Sequence, residues 1–550
     1  MKTLRYFANT AFVVSLALFA SCSSDSDIEE KADNNEETPT GEYVFSATIE
    51  DNEVTRAALN TTDNRMHWET GDEITVFAPI GPTSSTSTAT VTGTKFTLNP
   101  SSANSTIGYF TSKTLPSIAS DANYYIAFYP YNANYTFVNN NYRVQAELPT
   151  EQVVTNGYTY DKNAMMMYAY APKDTKQFKF KNVNALIKVT ISGNKDGKVK
   201  YIKFMSNNDA HYLSGNFQVN NQFYSDQLIH TFLNASERTG KNYVRLEIPA
   251  SEDDNPVDYY IVARPVPNLN AGFTLLLEGE FENGSQKIYQ RVNTSTNKKL
   301  EYSKIYDLGK YNVKELPFME DVVDLDLPTG TIWCTKNIQG GGNTSTTFVS
   351  SMYDNGDYYA WGETSQRSNN YNSSNYTLGN DIYQSYTYKT GTTTSGTNLA
   401  ILKNQYDAAH QIEGGAYCMP TYTQIDELYT KGTVTYYFGN TKYNSNYNGM
   451  MITAANGRYL WLPAGGNLTN SAFQQGAIDV GNKCNYWSRS LYMDDSNYAH
   501  TLDFYNGSID SHNLGGGSAA AWRDRRWCGK NIRPIVKNRG IEIFRQIPNI

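Results

Sequence analysis

Apolar and polar residues alternate along short stretches of the first 312 residues. A period of two, in segments rich in Val, Ile, Thr, Tyr and Phe, predicts β-strands. The segments that show it are 43–50, 72–79, 124–131, 178–191, 243–250, 259–267 and 273–282. The Asn, Gly and Pro residues between them predict turns, so we expect β-sandwich architecture. The region is long enough for two sandwiches, which would meet near residues 171–178.

The chain changes character after residue 321. Six of the 7 Trp lie beyond this point, and a helix is predicted to begin near Thr421 or Thr423. Residues 365–399 and 506–524 are rich in Asn, Gly and Ser without periodicity, which predicts surface loops. The tryptophans expected in the core of this part are Trp361, Trp461 and Trp487.

The N-terminus carries the pattern of an export signal. Lys2 and Arg5 precede an apolar run that is too short to cross a bilayer, and small residues then lead to Cys22. Residues 1–21 resemble the bacterial lipoprotein signal, after which the cysteine thiol is lipidated and becomes the new first residue. Phe19 stands where that signal usually has Leu. An ordinary secretory peptide with an incidental cysteine is the alternative.

Residues 22–41 form an acidic segment of low apolar content, which predicts a flexible tether. The acids after the cysteine are Asp25, Asp27, Glu29 and Glu30. They resemble the export signal that takes Bacteroidetes lipoproteins to the outer face of the outer membrane. The resemblance implies a surface-exposed lipoprotein of the cell outer membrane.

Composition narrows the class of protein. A chain of 550 residues is too long for one core, and about two to four domains are expected. The formal net charge is −8 without a basic block, which argues against nucleic acid as a partner. The 44 Tyr and the low share of charged residues, 18%, favour strands. The sequence therefore predicts an extracellular, mainly β protein.

Four cysteines remain once Cys22 is set aside. They are Cys334, Cys418, Cys484 and Cys528. An even number in an exported chain predicts disulfides, which could pair in three ways. Four reduced, buried thiols are the alternative. The spacing matches no zinc motif, so no metal is predicted.

The segments of residues 42–312 follow the order seen in a family of pilus subunits. "FSATIE", "TRA" and "HWETGDEITVFA" open the series, and "YYIAFYPY", "YDKNAMMMYA", "FKFKNVNALIKVTI" and "YLSGNF" continue it. The region thereby resembles the fimbrillins of Bacteroidetes. This resemblance implies two fimbrillin-type β-sandwich subdomains, at 42–174 and 175–312.

The same resemblance implies a mechanism of assembly. Fimbrillins are exported as lipoproteins and cut after an arginine near the first strand, so that the lipid and the strand are lost. A neighbouring subunit then supplies a strand in its place. Arg56, followed by Ala57, matches the cleavage position. An exposed turn arginine is the alternative, and accessory or anchor members of the family can keep their lipid.

Seven motifs between residues 322 and 537 resemble a second family. They begin with "VVDLDLPTGTIWCTKNI", "GDYYAWGET" and "AYCMPTYTQIDEL" and end with "GKNIRPI". This series resembles the Fibrobacter succinogenes major paralogous domain, which belongs to the C-type-lectin-like fold group. The resemblance implies an α+β module, here preceded by a linker at 313–321. For the tail at 538–550 the sequence allows three interpretations: an added edge strand, a donor strand or a frayed end.

Candidate chemistry is sparse. The signatures of calcium-dependent lectins are absent, and the residues predicted to meet a ligand at the surface are Tyr358, Tyr359 and Trp522. No zinc-protease, serine-hydrolase or phosphate-loop motif occurs, and the 6 His are scattered. We therefore predict neither an enzyme nor a cofactor.

Together these features favour a pilus tip or accessory adhesin. Its sandwiches would join other pilus subunits by strand addition, and its lectin-like module would bind a host or microbial glycan or a protein. The alternative is a lipid-anchored surface receptor that captures glycans and does not polymerise.

Overall fold

The chain is mainly β, as predicted, in a computed structural model. The structure describes residues 42–49, 67–78, 90–115, 124–138, 143–221, 228–231, 240–296, 298–366, 371–388, 397–470, 475–492, 495–505, 508–509 and 521–537. These ranges contain one α-helix. No helix within them has the length and apolar character needed to span a membrane.

The first part of the chain forms eleven strands within the described ranges. They are β1 (Tyr43–Ile49), β2 (Glu73–Phe77), β3 (Thr90–Thr92), β4 (Thr94–Leu98), β5 (Ile107–Ser112), β6 (Tyr124–Tyr129), β7 (Thr136–Val138), β8 (Arg143–Leu148), β9 (Glu151–Val153), β10 (Met167–Pro172) and β11 (Gln177–Asn182).

Seven of these strands form one closed sheet in the order β1-β11-β10-β6-β2-β4-β5. Strand β1 closes it by pairing in parallel with β11 and antiparallel with β5. Ile74, Val76 and Ala78 share the inner face with Trp68, since alternate residues of a strand point the same way. A closed sheet thus stands where a two-sheet sandwich is predicted. Its closing partner β11 lies beyond the predicted boundary at residue 174.

The second part of the chain adds a further eleven strands among the described residues. They are β12 (Ala185–Ser192), β13 (Tyr201–Ser206), β14 (Gly215–Asn221), β15 (Leu228–Thr231), β16 (Tyr243–Glu247), β17 (Val257–Ala263), β18 (Val266–Leu269), β19 (Phe273–Glu278), β20 (Gln286–Asn293), β21 (Lys298–Leu300) and β22 (Ile305–Asn312).

Two sheets of this part share one core. Ile187 and Ile261, from the sheet β17-β12-β22, pack in the same cluster as Ile202, Val244 and Leu277, from β13, β16 and β19. Each of these side chains is buried because its strand turns one apolar face toward the other sheet. The opposite face of β13, β16 and β19 carries Lys203, Arg245 and Glu278 together with the apolar Leu276.

The last part of the chain contains the helix. Its elements are β23 (Met319–Asp324), β24 (Ile332–Cys334), β25 (Ile338–Gln339), β26 (Thr347–Phe348), β27 (Tyr383–Tyr388), β28 (Thr397–Leu402), β29 (Tyr417–Cys418), α1 (Tyr422–Lys431), β30 (Thr433–Tyr437), β31 (Gly449–Thr453), β32 (Tyr459–Pro463), β33 (Asn467–Asn470), β34 (Gln475–Ile478), β35 (Lys483–Leu491), β36 (Tyr498–Tyr505), β37 (Ser508–Ile509), β38 (Ala521–Arg525) and β39 (Ile535–Val536).

One sheet crosses the predicted linker at 313–321. Its order is β29-β39-β24-β23-β20-β19-β13-β16-β9, and β23 begins at Met319, inside that linker. Strand β23 pairs with β20 on one side and β24 on the other. The two sides of the predicted linker are therefore joined by backbone hydrogen bonds.

The predicted start of the helix is confirmed. The Thr421 hydroxyl accepts a hydrogen bond from the Gln424 amide, and the Gln424 side chain accepts one from the Thr421 amide. This reciprocal capping box satisfies backbone donors that the first turn leaves unpaired. Ile425 and Leu428 are buried, so one face of α1 packs on the core.

Candidate functional site

Strand β1 is the most distinctive element of the closed sheet, because it lies directly ahead of the predicted cleavage position. Residues 43–48 pair with 107–112 of β5, and residues 46–49 pair with 177–180 of β11. Both edges of β1 are thus occupied by neighbouring strands. Without β1, the facing edges of β5 and β11 would each expose a row of unpaired backbone groups.

An aromatic pocket receives Phe45, the largest inward side chain of β1. Its ring centroid lies 5.1 Å from that of Phe96, 4.9 Å from Tyr125 and 4.8 Å from Phe178. The Phe178 ring stacks on it, and the other two meet it edge to face. Phe45 is 0% exposed, so the strand is anchored by apolar burial as well as by hydrogen bonds.

A small residue follows two positions later, where the pocket is shallow. Ala47 pairs with Gly108 of β5, and the Trp68 indole nitrogen donates a hydrogen bond of 2.9 Å to the Ala47 carbonyl oxygen. A Cβ atom on Gly108 would lie 2.7 Å from Cδ1 of Trp68. The indole therefore fills the space over this pair. The slot accepts a large ring at one position and a small side chain at the next inward one.

The residues predicted for lipidation and processing lie outside the described ranges. These are Cys22, Arg56 and Ala57. They stay predictions, while the strand that lies between Cys22 and Arg56 in the sequence is fully described.

The two predicted ligand residues whose side chains the structure describes, Tyr358 and Tyr359, do not share an exposed surface. Tyr359 is 0% exposed, and its hydroxyl donates to the Gly340 carbonyl at 2.9 Å. Its prediction as a surface residue is wrong, because the ring packs in the core. Tyr358 is half-buried and donates to the Gly465 carbonyl at 2.6 Å. The side chain of Trp522 lies outside what the structure describes.

A tyrosine cluster that we did not predict lies near β30 and β31. The Tyr353 and Tyr447 rings stack at 4.0 Å with an interplanar angle of 11°. Tyr443 lies 5.1 Å from the buried Trp461, and Tyr437 lies 5.2 Å from Tyr443. Tyr447 is 36% exposed. The density of Tyr and Asn in residues 436–448 is the sequence signal that could have found this cluster.

The predicted disulfides are absent, and the four cysteines of the described part are buried thiols. Cys334 and Cys418 lie on β24 and β29, which flank β39 on opposite sides. Two strand spacings amount to roughly 10 Å, beyond the Cα separation of about 7 Å that a disulfide spans. Burial raises the pKa of Cys418 to about 11. It also raises the pKa values of Cys484 and Cys528, so these thiols are poorly suited to nucleophilic chemistry.

The described residues include no group of three or more His, Cys, Asp or Glu side chains placed to hold a metal ion. Trp361, Trp461 and Trp487 are each 0% exposed, which confirms their prediction as core residues.

Comparisons with known proteins return solved structures only. No family model matches the chain, and no curated protein matches it. A proposed cell adhesion protein from Bacteroides ovatus is 14% identical, aligned over 50% of this chain and 94% of its own, with a TM-score of 0.30. The C-terminally truncated tip fimbrial protein of Porphyromonas gingivalis is 8% identical over 51% and 98%, with a TM-score of 0.25.

A fimbrial assembly protein from Parabacteroides distasonis is 8% identical over 56% of this chain and 99% of its own, with a TM-score of 0.26. At TM-scores of this size the likenesses carry no argument about fold or function. Statements about fold and function therefore rest on the residues and contacts of this chain.

Proposed function

We propose that this chain is a cell-surface adhesin of fimbrial type, exported as a lipoprotein and built into a pilus by strand addition. The observation that carries the proposal is the position of β1. This strand completes the closed sheet between β5 and β11, and it is the described strand that precedes Arg56. Cleavage after Arg56 would release the lipid and β1 together.

Strand addition is physically favoured once β1 has left. The vacated slot presents two rows of backbone donors and acceptors and the aromatic pocket of Phe45. A strand from a neighbouring subunit would satisfy both at once. The pilus partners named by the sequence resemblance would therefore bind at this slot.

The C-terminal part is proposed to meet the glycan or protein ligand of the adhesin, without enzymatic activity. The tyrosine cluster supports this role, because tyrosines offer rigid contact area with a polar end. Tyr447 is its most exposed ring, at 36%.

The alternative is a lipid-anchored glycan receptor that never polymerises. It is favoured by the same strand, since β1 is already paired on both edges and the uncut chain needs no donor. The two functions differ in the fate of residues 22–56.

The test is the N-terminus of the surface-exposed protein, determined by mass spectrometry in the producing bacterium. We expect a start at Ala57 and a ladder of polymers that resist detergent. Arg56→Ala should shift the start to Cys22 and abolish the ladder. Arg65→Ala is the matched control and should change neither. A wild-type start at Cys22 without a ladder would overturn the proposal and favour the anchored receptor.

A further inference from the structure

Strands β13, β16 and β19 carry a row of charged and aromatic side chains on the face opposite the apolar core of the second part. Lys203 of β13 pairs in register with Arg245 of β16, and Tyr201 pairs with Glu278 of β19. Tyr243 lies two residues before Arg245 and shares its face. These side chains point away from the apolar core on the other side of the sheet.

Residues of the C-terminal part cover this face with opposite charges. Lys203 donates to Oδ2 of Asp324 and to Oδ1 of Asp326, each at 2.6 Å. Arg245 meets Oδ2 of Asp326 at 2.8 Å, and Arg458 meets Oε2 of Glu278 at 3.1 Å. All of these side chains are nearly or fully buried.

The buried charges balance. Lys203, Arg245 and Arg458 face the carboxylates of Glu278, Asp324 and Asp326. Burial alone would raise the pKa of Asp326, but the charges of Lys203 and Arg245 outweigh burial and hold it well below its usual value. With equal numbers of each sign, the cluster offers little net field to attract an anion or a cation.

A cleft of about 980 Å³ opens beside this cluster. Its aromatic lining includes Tyr201, Tyr243 and Phe281, and its planar polar lining includes Glu151, Arg245 and Asn456. The volume is at the upper end of the roughly 300–1,000 Å³ usual for small-molecule sites. The residues of its walls come from both sides of the predicted linker. Small-molecule sites often lie between two such parts of a chain.

Two buried polar atoms at this cluster lack a hydrogen-bond partner. They are Nη1 of Arg245, a donor, and Oε1 of Glu278, an acceptor. Arg245 is 5% exposed and lines the cleft, and its Nη1 lies 3.6 Å from the other Glu278 oxygen. Both atoms are buried and Glu278 does not line the cleft, so they belong to the ion cluster behind its wall.

We infer that this cleft binds a neutral oligosaccharide. Pyranose rings would lie against Tyr201 and Phe281, and their hydroxyls would bond to Glu151 and Asn456 at the cleft wall. The inference places the glycan ligand of the proposed adhesin in this cleft rather than at the tyrosine cluster, and it does not depend on strand addition.

The test uses the whole mature chain and saturation-transfer NMR with maltotriose, cellotriose, mannotriose and trigalacturonate as probes. We expect at least one neutral trisaccharide to bind with a Kd of about 1 mM or tighter, and the acidic one to bind more weakly. Tyr201→Ala should weaken binding at least about tenfold by removing an aromatic wall. Glu151→Gln, which keeps the side-chain shape at the cleft mouth, should weaken it several-fold.

The matched control is Tyr170→Ala, an exposed tyrosine on β10 outside the cleft, which should leave binding unchanged. Binding that survives both cleft variants, or that is lost in Tyr447→Ala instead, would overturn the inference. Preferential binding of trigalacturonate would also overturn it. If none of the probes binds, the inference is wrong and the ion cluster has a structural role alone. The N-terminal assay for strand addition is unaffected by any of these outcomes.

Discussion

Replacing Phe45 with Ala should destabilise the uncut chain and leave the assembled pilus unchanged. The ring is 0% exposed, and its centroid lies 4.8–5.1 Å from the ring centroids of three aromatic neighbours. Truncating such a side chain removes apolar burial and leaves a cavity, at a cost of about 3–5 kcal/mol in unfolding free energy. Under the proposed processing Phe45 is cut away with β1 before assembly, so no cost is expected in the pilus.

The assay is denaturant unfolding of the purified uncut chain, set beside the thermal melting of pili from the same strain. Tyr43→Ala is the control, since this aromatic residue of β1 is 41% exposed and should cost at most about 0.5 kcal/mol. Phe178→Ala should destabilise both the uncut chain and the pilus, because Phe178 lies on β11, which stays in place when β1 is removed. An uncut Phe45→Ala chain as stable as wild type would refute the packing argument. Pili that melt earlier in that variant would refute the loss of β1.

Three other outcomes test the interior of the molecule. Lys203→Met leaves the buried carboxylate of Asp324 without its cation and should cost about 3–5 kcal/mol in the free energy of unfolding. The control Lys287→Met breaks an exposed ion pair and should cost at most about 1 kcal/mol. Burial raises the pKa of Asp503 from 3.8 to about 6. The folded chain thus favours the protonated carboxyl, and stability should fall as pH rises from about 4 to about 6. Asp503→Asn should flatten that part of the pH profile. An alkylating reagent should leave the buried thiols, such as Cys418, unmodified in the native chain and should modify all of them after denaturation. Two cysteines that stay unmodified in denaturant until a reductant is added would show that they form a disulfide.

The sequence could predict the features that depend on neighbours in the chain. The alternation of residues 43–50 predicts β1, since inward positions recur every second residue. The helix start follows from Thr421 and Gln424, which are three residues apart and act locally. The burial of Trp461 and Trp487 follows from their size and apolar character.

The features that it could not predict depend on residues far apart in the sequence. Closure of the first sheet needs β1 to pair in parallel with β11, which begins at Gln177. The cluster under the cleft joins Lys203 to Asp324, 121 residues away. No local period or motif marks such a pair, because each partner alone has the pattern of an ordinary surface charge.

The proposed assembly slot and the proposed binding cleft are built from separate cores, which would let each act without the other. The closed sheet surrounds its own cluster, which includes Phe45 and Phe178 and contains no residue beyond Phe180. The cleft is lined by residues of β9, β13 and β16, by the segment that follows β19 and by the C-terminal part. Exchange of β1 for a donor strand would therefore replace contacts of the first core alone, and Lys203 and Arg245 would keep their partners. A subunit of this design could join a filament without altering the surface that meets its ligand.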